Sequence, residues 1–233
     1  MSLFAISDLH LPGSTQKPMG IFGTHWEGHF DRIRVNWREQ VKQEDIVLLP
    51  GDFSWAMNLQ DVSTDLAAIE ELPGRKILLR GNHDYWWSSL QKLQAILPPS
   101  IDVLQNNALC SGRVVICGSR GWLIPNEYWT SSLDWRIYRR ELIRLEMSLQ
   151  AARRLSPKGP LVAMLHYPPF NEVHEPSDVT HLLQNYGVCE AVYGHLHGES
   201  LQTAYSGWLD GILYTQVSCD GLGFSLKRLL TEN

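Results

Sequence analysis

Five short segments hold nearly every side chain in this 233-residue sequence that could bind a metal ion. Each ends an apolar run: Asp8-Leu9-His10, Gly51-Asp52, Gly81-Asn82-His83-Asp84, His166 within Leu165-His166-Tyr167, and Gly194-His195-Leu196-His197. The donors are carboxylates, imidazoles and one amide, with no thiol, a set that suits a pair of borderline divalent cations. Two such ions brought together on strand ends most simply make a hydrolase. A single Gly-Asp pair or histidine says little. Five segments of this kind in one chain point to one site.

The elements that must position them can be read from hydrophobic periodicity. Residues 3–6 form a short apolar run leading to Asp8, as a buried central strand would. Phe30, Ile33, Trp37 and Val41 recur at three- and four-residue spacing, which predicts a helix within 27–42. A strand at 45–49 leads to Asp52. A helix at 61–72 follows, with Asp61 as its N-cap and Pro73-Gly74 as its stop. A strand at 76–79 leads to Asn82, and a helix at 86–97 ends at Pro98-Pro99. This β-α-β-α-β-α order predicts a parallel sheet with crossover helices.

The middle of the chain reads differently. Short strands at 103–104, 108–110 and 114–117 suggest a meander. An amphipathic helix at 133–155 carries Tyr138, Leu142, Leu145, Leu149 and Ala152 on one face. Strands at 161–165 and 191–193 end at His166 and His195, with a helix at 179–186 between them. Runs at 212–217 and 224–229, parted by Ser218-Cys219-Asp220-Gly221, read as a closing hairpin. The whole, 1–233, is expected to form a single domain. In open α/β sheets ligands bind beyond the carboxyl ends of the strands, where all five segments lie.

The ordered set D-x-H, G-D, G-N-H-D, H and G-H-x-H resembles the calcineurin-like metallophosphoesterase superfamily, in its bacterial-type phosphohydrolase branch. The resemblance spans Asp8 to His197. It implies an α/β fold, a four-layer β-sandwich of two mixed sheets flanked by helices, carrying a binuclear phosphoesterase centre. Carried over residue by residue, Asp8, His10 and His197 would hold one metal and Asn82, His166 and His195 the other, with Asp52 bridging. The ions would be divalent or mixed-valence, with manganese, iron or zinc the expected identities. A bridging carboxylate sets two cations about 3.5–4 Å apart, close enough to share one hydroxide and polarise a phosphoryl oxygen. Two divalent ions, two carboxylates and that hydroxide leave one net positive charge facing the substrate, which favours a phosphate.

His83 is the motif residue not needed as a ligand. The resemblance implies that it assists the leaving group, and Asp84 next to it could accept its second ring proton. Arg80 and His174 are candidate substrate contacts. The wording Leu78-Leu79-Arg80-Gly81-Asn82-His83 is similar to the serine/threonine protein phosphatase branch. That branch also carries an Asp-Arg-Gly whose arginine grips phosphate, where this chain has Phe53-Ser54-Trp55, so protein-phosphatase activity is not expected.

Nine tryptophans, among them Trp55, Trp86, Trp87, Trp122 and Trp129, together with Tyr128, supply flat apolar surface for a cleft or for helix packing. His25 and His29 have metal-compatible spacing but no nearby acid, so they are expected at the surface, and His181 within its helix is expected to be structural. A net charge of −5 gives no footprint for an extended nucleic-acid surface, yet admits a small, nucleotide-like phosphoester. Four cysteines form no C-x-x-C pair, and Cys110 and Cys117 are expected to be small buried residues. No apolar run is long enough to span a bilayer, and the first residues show no basic leader, so a cytoplasmic protein is expected. The competing readings are a catalytically silent scaffold of the same fold and another two-metal hydrolase, such as an amidohydrolase.

Overall fold

The computed structural model describes residues 1–13, 17–126 and 130–229. Tyr128 and Trp129 therefore lie outside the described residues. The elements run β1 (Leu3–Ala5), α1 (His29–Gln40), β2 (Ile46–Pro50), α2 (Ser63–Glu70), β3 (Arg75–Leu79), α3 (Leu90–Gln94), β4 (Ile101–Leu104), β5 (Leu109–Ser111) and β6 (Val114–Ser119). They continue with α4 (Ser132–Leu155), β7 (Leu161–Leu165), α5 (Asp178–Asn185), β8 (Val188–Tyr193), β9 (Gly207–Leu209), β10 (Ile212–Gln216) and β11 (Lys227–Arg228). Their five- and six-strand sheets are ordered β11-β1-β2-β3-β4 and β5-β6-β7-β8-β10-β9.

Side chains alternate across each strand, and this alternation produces the layers. In β2, Val47 and Leu49 face a core shared with Ile33 and Trp37 of α1, Leu66 and Ile69 of α2 and Leu93 of α3. Ile46 and Leu48 face the opposite way, toward Val162 and Met164 of β7. The other face of β7, with Leu161, Ala163 and Leu165, packs on Leu145 and Leu149 of α4 and Leu183 of α5. Helices, sheet, sheet, helices: the four-layer arrangement holds. Both faces of the central strands are apolar because both are covered.

Within the first sheet β1, β2, β3 and β4 are parallel and β11 runs antiparallel to β1. In the second, β6, β7, β8 and β10 are parallel, with β5 and β9 antiparallel at the edges. The helix expected at 133–155 forms as α4, with the Ser131 side chain accepting from Asp134 N at its start. Tyr138, Leu145, Leu149 and Ala152 are buried along it, as the periodicity required.

Several local expectations are corrected. The strand at 103–104 is no meander member, since β4 pairs parallel with β3. The closing hairpin does not form: β10 pairs with β8, whereas β11 crosses to pair with β1 in the other sheet. Two apolar runs around a turn look alike whether they pair together or separately. Here the parallel Ser7–Ser218 bridge, with Ser7 N donating to Val217 O at 2.8 Å and Cys219 N to Ser7 O at 3.1 Å, commits the chain to the crossing. Asp61 does not cap α2. It accepts from Asn58 Nδ2 at 2.7 Å, and Val62 precedes the helix. The third helix is shorter than its pattern because Trp86 and Trp87 are fixed in the preceding turn, donating to Asp84 and Gln105. Cys110 is exposed on edge strand β5, whereas Cys117 is buried.

Candidate metal centre

Strand ends of both sheets deliver the candidate ligands to one place. Asp8 and His10 follow β1, Asp52 follows β2 and Asn82 follows β3, while His166 follows β7 and His195 and His197 follow β8. The Ser7–Ser218 bridge joins the sheets there.

Asp8 is fully buried and receives the His195 N–H at 3.0 Å, the Ser218 hydroxyl at 3.2 Å and the Ser7 hydroxyl. His197 Nε2 lies 3.1 Å from its Oδ1. Asp52 Oδ2 is 3.9 Å from His10 Nε2 and 3.6 Å from His166 Nε2, so it stands between imidazoles of the two sheets. Asn82 Oδ1 is 2.7 Å from His166 Nε2, and the His195 ring is 5.1 Å from that of His166. Donor atoms of Asp8, His10 and His197 lie within 4.8 Å of one another, and so do those of Asp8, Asp52 and His166. The structure brings all seven candidate ligands into this cluster.

The backbone bends sharply to do this. Asp8, His10, Asp52 and His195 have φ of 61°, 46°, 51° and 72°, a left-handed region that non-glycine residues seldom adopt. Strain of this kind costs on the order of 1–3 kcal/mol per residue and persists where surrounding contacts enforce it. Two glycines make room for the result. A Cβ on Gly81 would overlap the Asp52 carboxylate, and one on Gly194 would overlap that of Asp8.

Burial holds most of the imidazoles neutral. It pushes His10 and His166 down to about 3 and His195 to about 4, each against the pull of Asp8. Burial opposes charge on His197 too, but its bonds to Asp220 and Asp8 outweigh this and lift it to about 10. Asp52 is pushed well up by burial and by the nearby Asp8 and Asp84 carboxylates. Burial also opposes ionisation of Asp8, yet the His197 bond and the surrounding imidazoles hold it below the usual carboxylate range. Neither ring nitrogen of His10 makes a hydrogen bond among the described residues. Crowded carboxylates, neutral imidazoles and an unpartnered ring nitrogen are what divalent cations would satisfy, so the residues fit a metal pair.

Sequence reasoning missed Asp220, whose Oδ1 lies 2.9 Å from His197 Nδ1 and whose Oδ2 accepts from Gly198 N at 3.0 Å. A carboxylate on the outer nitrogen of a ligand histidine fixes its ring and raises its basicity. Inside Ser218-Cys219-Asp220-Gly221 this residue read as a turn former. His29 is likewise buried, not at the surface, with Nε2 2.8 Å from Leu9 O in the loop between Asp8 and His10, whereas His25 is exposed.

Asp84 does not partner His83. Its carboxylate accepts from Gly81 N, Asp52 N, Phe53 N, Ser54 N and Trp86 Nε1 at 2.7–3.1 Å, tying two ligand loops together. His83 Nδ1 is instead buried without a hydrogen-bond partner. The His83 backbone N–H donates to Asp52 Oδ1 at 2.8 Å, and its ring centroid is 4.6 Å from that of Trp55. Burial, Lys17 and His197 push its imidazole down against Asp8. Arg80 and His174 are not brought to the cluster. Arg80 lines a separate polar hollow, and His174 Nε2 lies 2.9 Å from Thr203 O with its ring against Tyr205.

A cavity of about 330 Å³ opens over the cluster, walled by Met19, Trp26 and Trp55 and floored by His10, Asp52, His83 and His197. His195 also borders a second, apolar cavity of about 320 Å³ lined by Leu123, Ile124, Phe170 and Tyr205. Trp86 lies in the core, and Trp122 packs on Tyr167.

The fold and the cluster together define a two-sheet α/β protein with a buried carboxylate–imidazole site suited to cations. The calcineurin-like phosphoesterase family matches over residues 1–199, and the chain belongs to that family. No curated protein matches it by sequence. Many solved structures share the fold, and three of them do so at low identity. The phosphopantetheinyl hydrolase PptH of Mycobacterium tuberculosis is 14% identical with a TM-score of 0.56, over 99% of this chain and 96% of that one. TT1561 of Thermus thermophilus is 16% identical with a TM-score of 0.52, over 84% and 81%. AQ665 of Aquifex aeolicus, described as a protein of unknown function, is 18% identical with a TM-score of 0.50, over 97% and 95%. Among the described residues no helix is long and apolar enough to cross a membrane.

Proposed function

We propose that the protein is a binuclear metal-dependent phosphoesterase that hydrolyses a small phosphodiester or phosphomonoester. The observation that carries this reading is the position of Asp52 Oδ2, within 4 Å of an imidazole from each sheet. Asp8, His10 and His197 would hold one ion and Asn82, His166 and His195 the other, with Asp52 shared. Two divalent or mixed-valence ions, manganese, iron or zinc, would supply activation of water and neutralisation of phosphoryl charge.

The protein's own groups do the rest. The His10, His166 and His195 imidazoles, held neutral by burial, present lone pairs without needing to lose a proton first, whereas His197, lifted to about 10 by Asp220 and Asp8, would release its proton as an ion binds. Asp84 fixes the loops that carry Asp52 and Asn82. Asp220 fixes the His197 ring. His83 lines the cavity, placed to hydrogen-bond a phosphoryl oxygen or to protonate a leaving oxygen. An incoming phosphate, being anionic, would favour the protonated ring. The apolar walls on both sides of His195 suit an ester whose organic arm is flat or aliphatic, a nucleoside among them.

Assays with added Mn²⁺, Fe²⁺ or Zn²⁺ on p-nitrophenyl phosphate, bis-p-nitrophenyl phosphate and an amide panel test this reading, beside elemental analysis of the purified protein. Metal-dependent phosphoester cleavage is expected. Turnover of amides alone would assign a different hydrolase, and metal binding with no turnover of any substrate would assign a silent scaffold.

A further inference from the structure

Beyond the cation cleft, the ends of β3, β4 and β6 and one side of α4 enclose a polar hollow of about 150 Å³. Arg80, Arg120 and Arg144 line it, together with Glu141. Glu141 is 2% exposed and lies 2.7 Å from Arg144, 3.5 Å from Arg120 and 3.5 Å from Arg140. In the lining, three guanidinium groups against one carboxylate leave a formal excess of two positive charges, and Arg140 outside it also pairs with Glu141. Arginine does not discharge that excess by losing protons.

Hydrogen bonding is also incomplete. The Nε atoms of Arg80 and Arg120 are both buried with no partner, and Arg80 makes no ion pair among the described residues. Arg120 is 14% exposed, and its planar group leans on Trp122, 4.8 Å from the ring centroid. Buried, unsatisfied donors beside like charges are costly, so such a group calls for an acceptor that the chain itself does not provide. The remaining wall sets the polar Ser88, Gln105, Asn106 and Ser119 beside the apolar Leu79, Trp87 and Leu104. A compact oxyanion meets these demands, because its several oxygens can each accept from a planar arginine fork.

We propose that this hollow is a second anion site, separate from the metal cleft, that binds a phosphate group between Arg80, Arg120 and Arg144. It stands apart from the phosphoesterase reading, since it needs no metal, but it is joined to the ligand loops. Arg80 is two residues before Asn82, and the Arg120 carbonyl accepts from His166 N at 3.1 Å and Tyr167 N at 2.9 Å. A phosphate held here draws on the loops that carry ligands from both sheets. It could come as free inorganic phosphate or as a second phosphate on the substrate.

Equilibrium dialysis of metal-loaded, full-length protein against radiolabelled inorganic phosphate tests the site. The wild type is expected to bind one phosphate more per chain than the Arg80→Gln, Arg144→Gln double variant, whatever the metal cleft holds. Equal stoichiometry in the two proteins overturns the proposal. Arg144→Lys keeps a cation beside Glu141 but loses the fork, so it covers the case in which the double variant does not fold. It should weaken the second phosphate about tenfold, as loss of a charge-assisted bond would. Unchanged affinity of both sites there overturns the assignment.

Two kinetic arms separate the sources. If the phosphate is carried by substrate, the KM of a nucleoside 3′,5′-bisphosphate relative to that of p-nitrophenyl phosphate rises about tenfold in Arg144→Lys. If it is free phosphate, that ratio stays fixed and the variant loses the rise in thermal midpoint that phosphate gives the wild type. Neither change would mean that no phosphate occupies the hollow.

Discussion

The residue types in the five motifs were enough to single out the candidate ligands that the fold brings together, because carboxylate, imidazole and amide at strand ends have few other joint uses. Their conformations were not legible. Left-handed φ at Asp8, His10, Asp52 and His195 leaves no mark in residue type, although Gly81 and Gly194 sit where close approach demands glycine. Asp220 was hidden for a similar reason, since its job depends on a contact 23 residues away in sequence. Asp220→Asn keeps the shape but weakens the acceptor for His197 Nδ1. Affinity for the ion held with Asp8 and His10 should fall about 10–100-fold, the usual effect of losing such a partner, and the other ion should be retained. Competition with a chelator, followed by elemental analysis, reads both. For His83→Ala, both ions and the fold should remain. The rate loss should be about 10²–10⁴-fold on an alkyl phosphoester and smaller on p-nitrophenyl phosphate, whose leaving group needs little protonation. Equal losses would assign His83 to phosphoryl binding instead.

At the scale of elements, most strands followed from apolar runs and period, whereas the short edge strand β9 and pairing between distant segments did not. Nothing local in 224–229 says that β11 belongs beside β1 rather than β10. The same limit applied to Asp84. As a neighbour of His83 it looked like that ring's partner, but it binds the turn after β2. Asp84→Asn would turn one acceptor oxygen into a donor facing backbone N–H groups. The expected outcome is therefore lower stability and loss of both ions, measured by thermal melting and metal analysis, rather than a mild copy of His83→Ala. Helix α2 is tied to the same loop through Asp65, which accepts from Ser54 Oγ and from Gly13 N at 2.8 Å. Burial pushes Asp65 up to about 6 despite those bonds. The folded protein then keeps a proton that the unfolded chain releases near pH 4. Stability from this group is full below that pH, falls as pH rises to about 6, and is level above. A rise in pKa of about two corresponds to a drop of roughly 3 kcal/mol. Denaturant titrations from pH 4 to 7 should show Asp65→Asn losing this descending component, and an unchanged slope would contradict it.

Over the whole molecule, the two sheets share the apolar layer of Leu48, Val162, Met164 and Val192, but at their carboxyl ends polar groups replace it. There Asp8, His10, Asp52 and Asn82 from one sheet meet His166, His195 and His197 from the other. Without cations, that end of the interface rests on a few bonds such as His197 with Asp8 and His166 with Asn82, while Asp52 is crowded by other carboxylates. Ions held by both sheets would fasten them where the apolar core stops. Because the unfolded chain scatters these ligands over 190 positions, metal binding favours the folded state by RT ln(1 + [L]/Kd), about 4 kcal/mol at a thousandfold excess over Kd. Chelation should thus lower the thermal midpoint and speed hydrogen exchange at the ends of β1, β2, β7 and β8 before it affects α4. Asp52→Asn, lacking the carboxylate proposed to be shared, should show little further loss on chelation. Equal midpoints for wild type with and without metal would mean that the ions do not bind across the sheets.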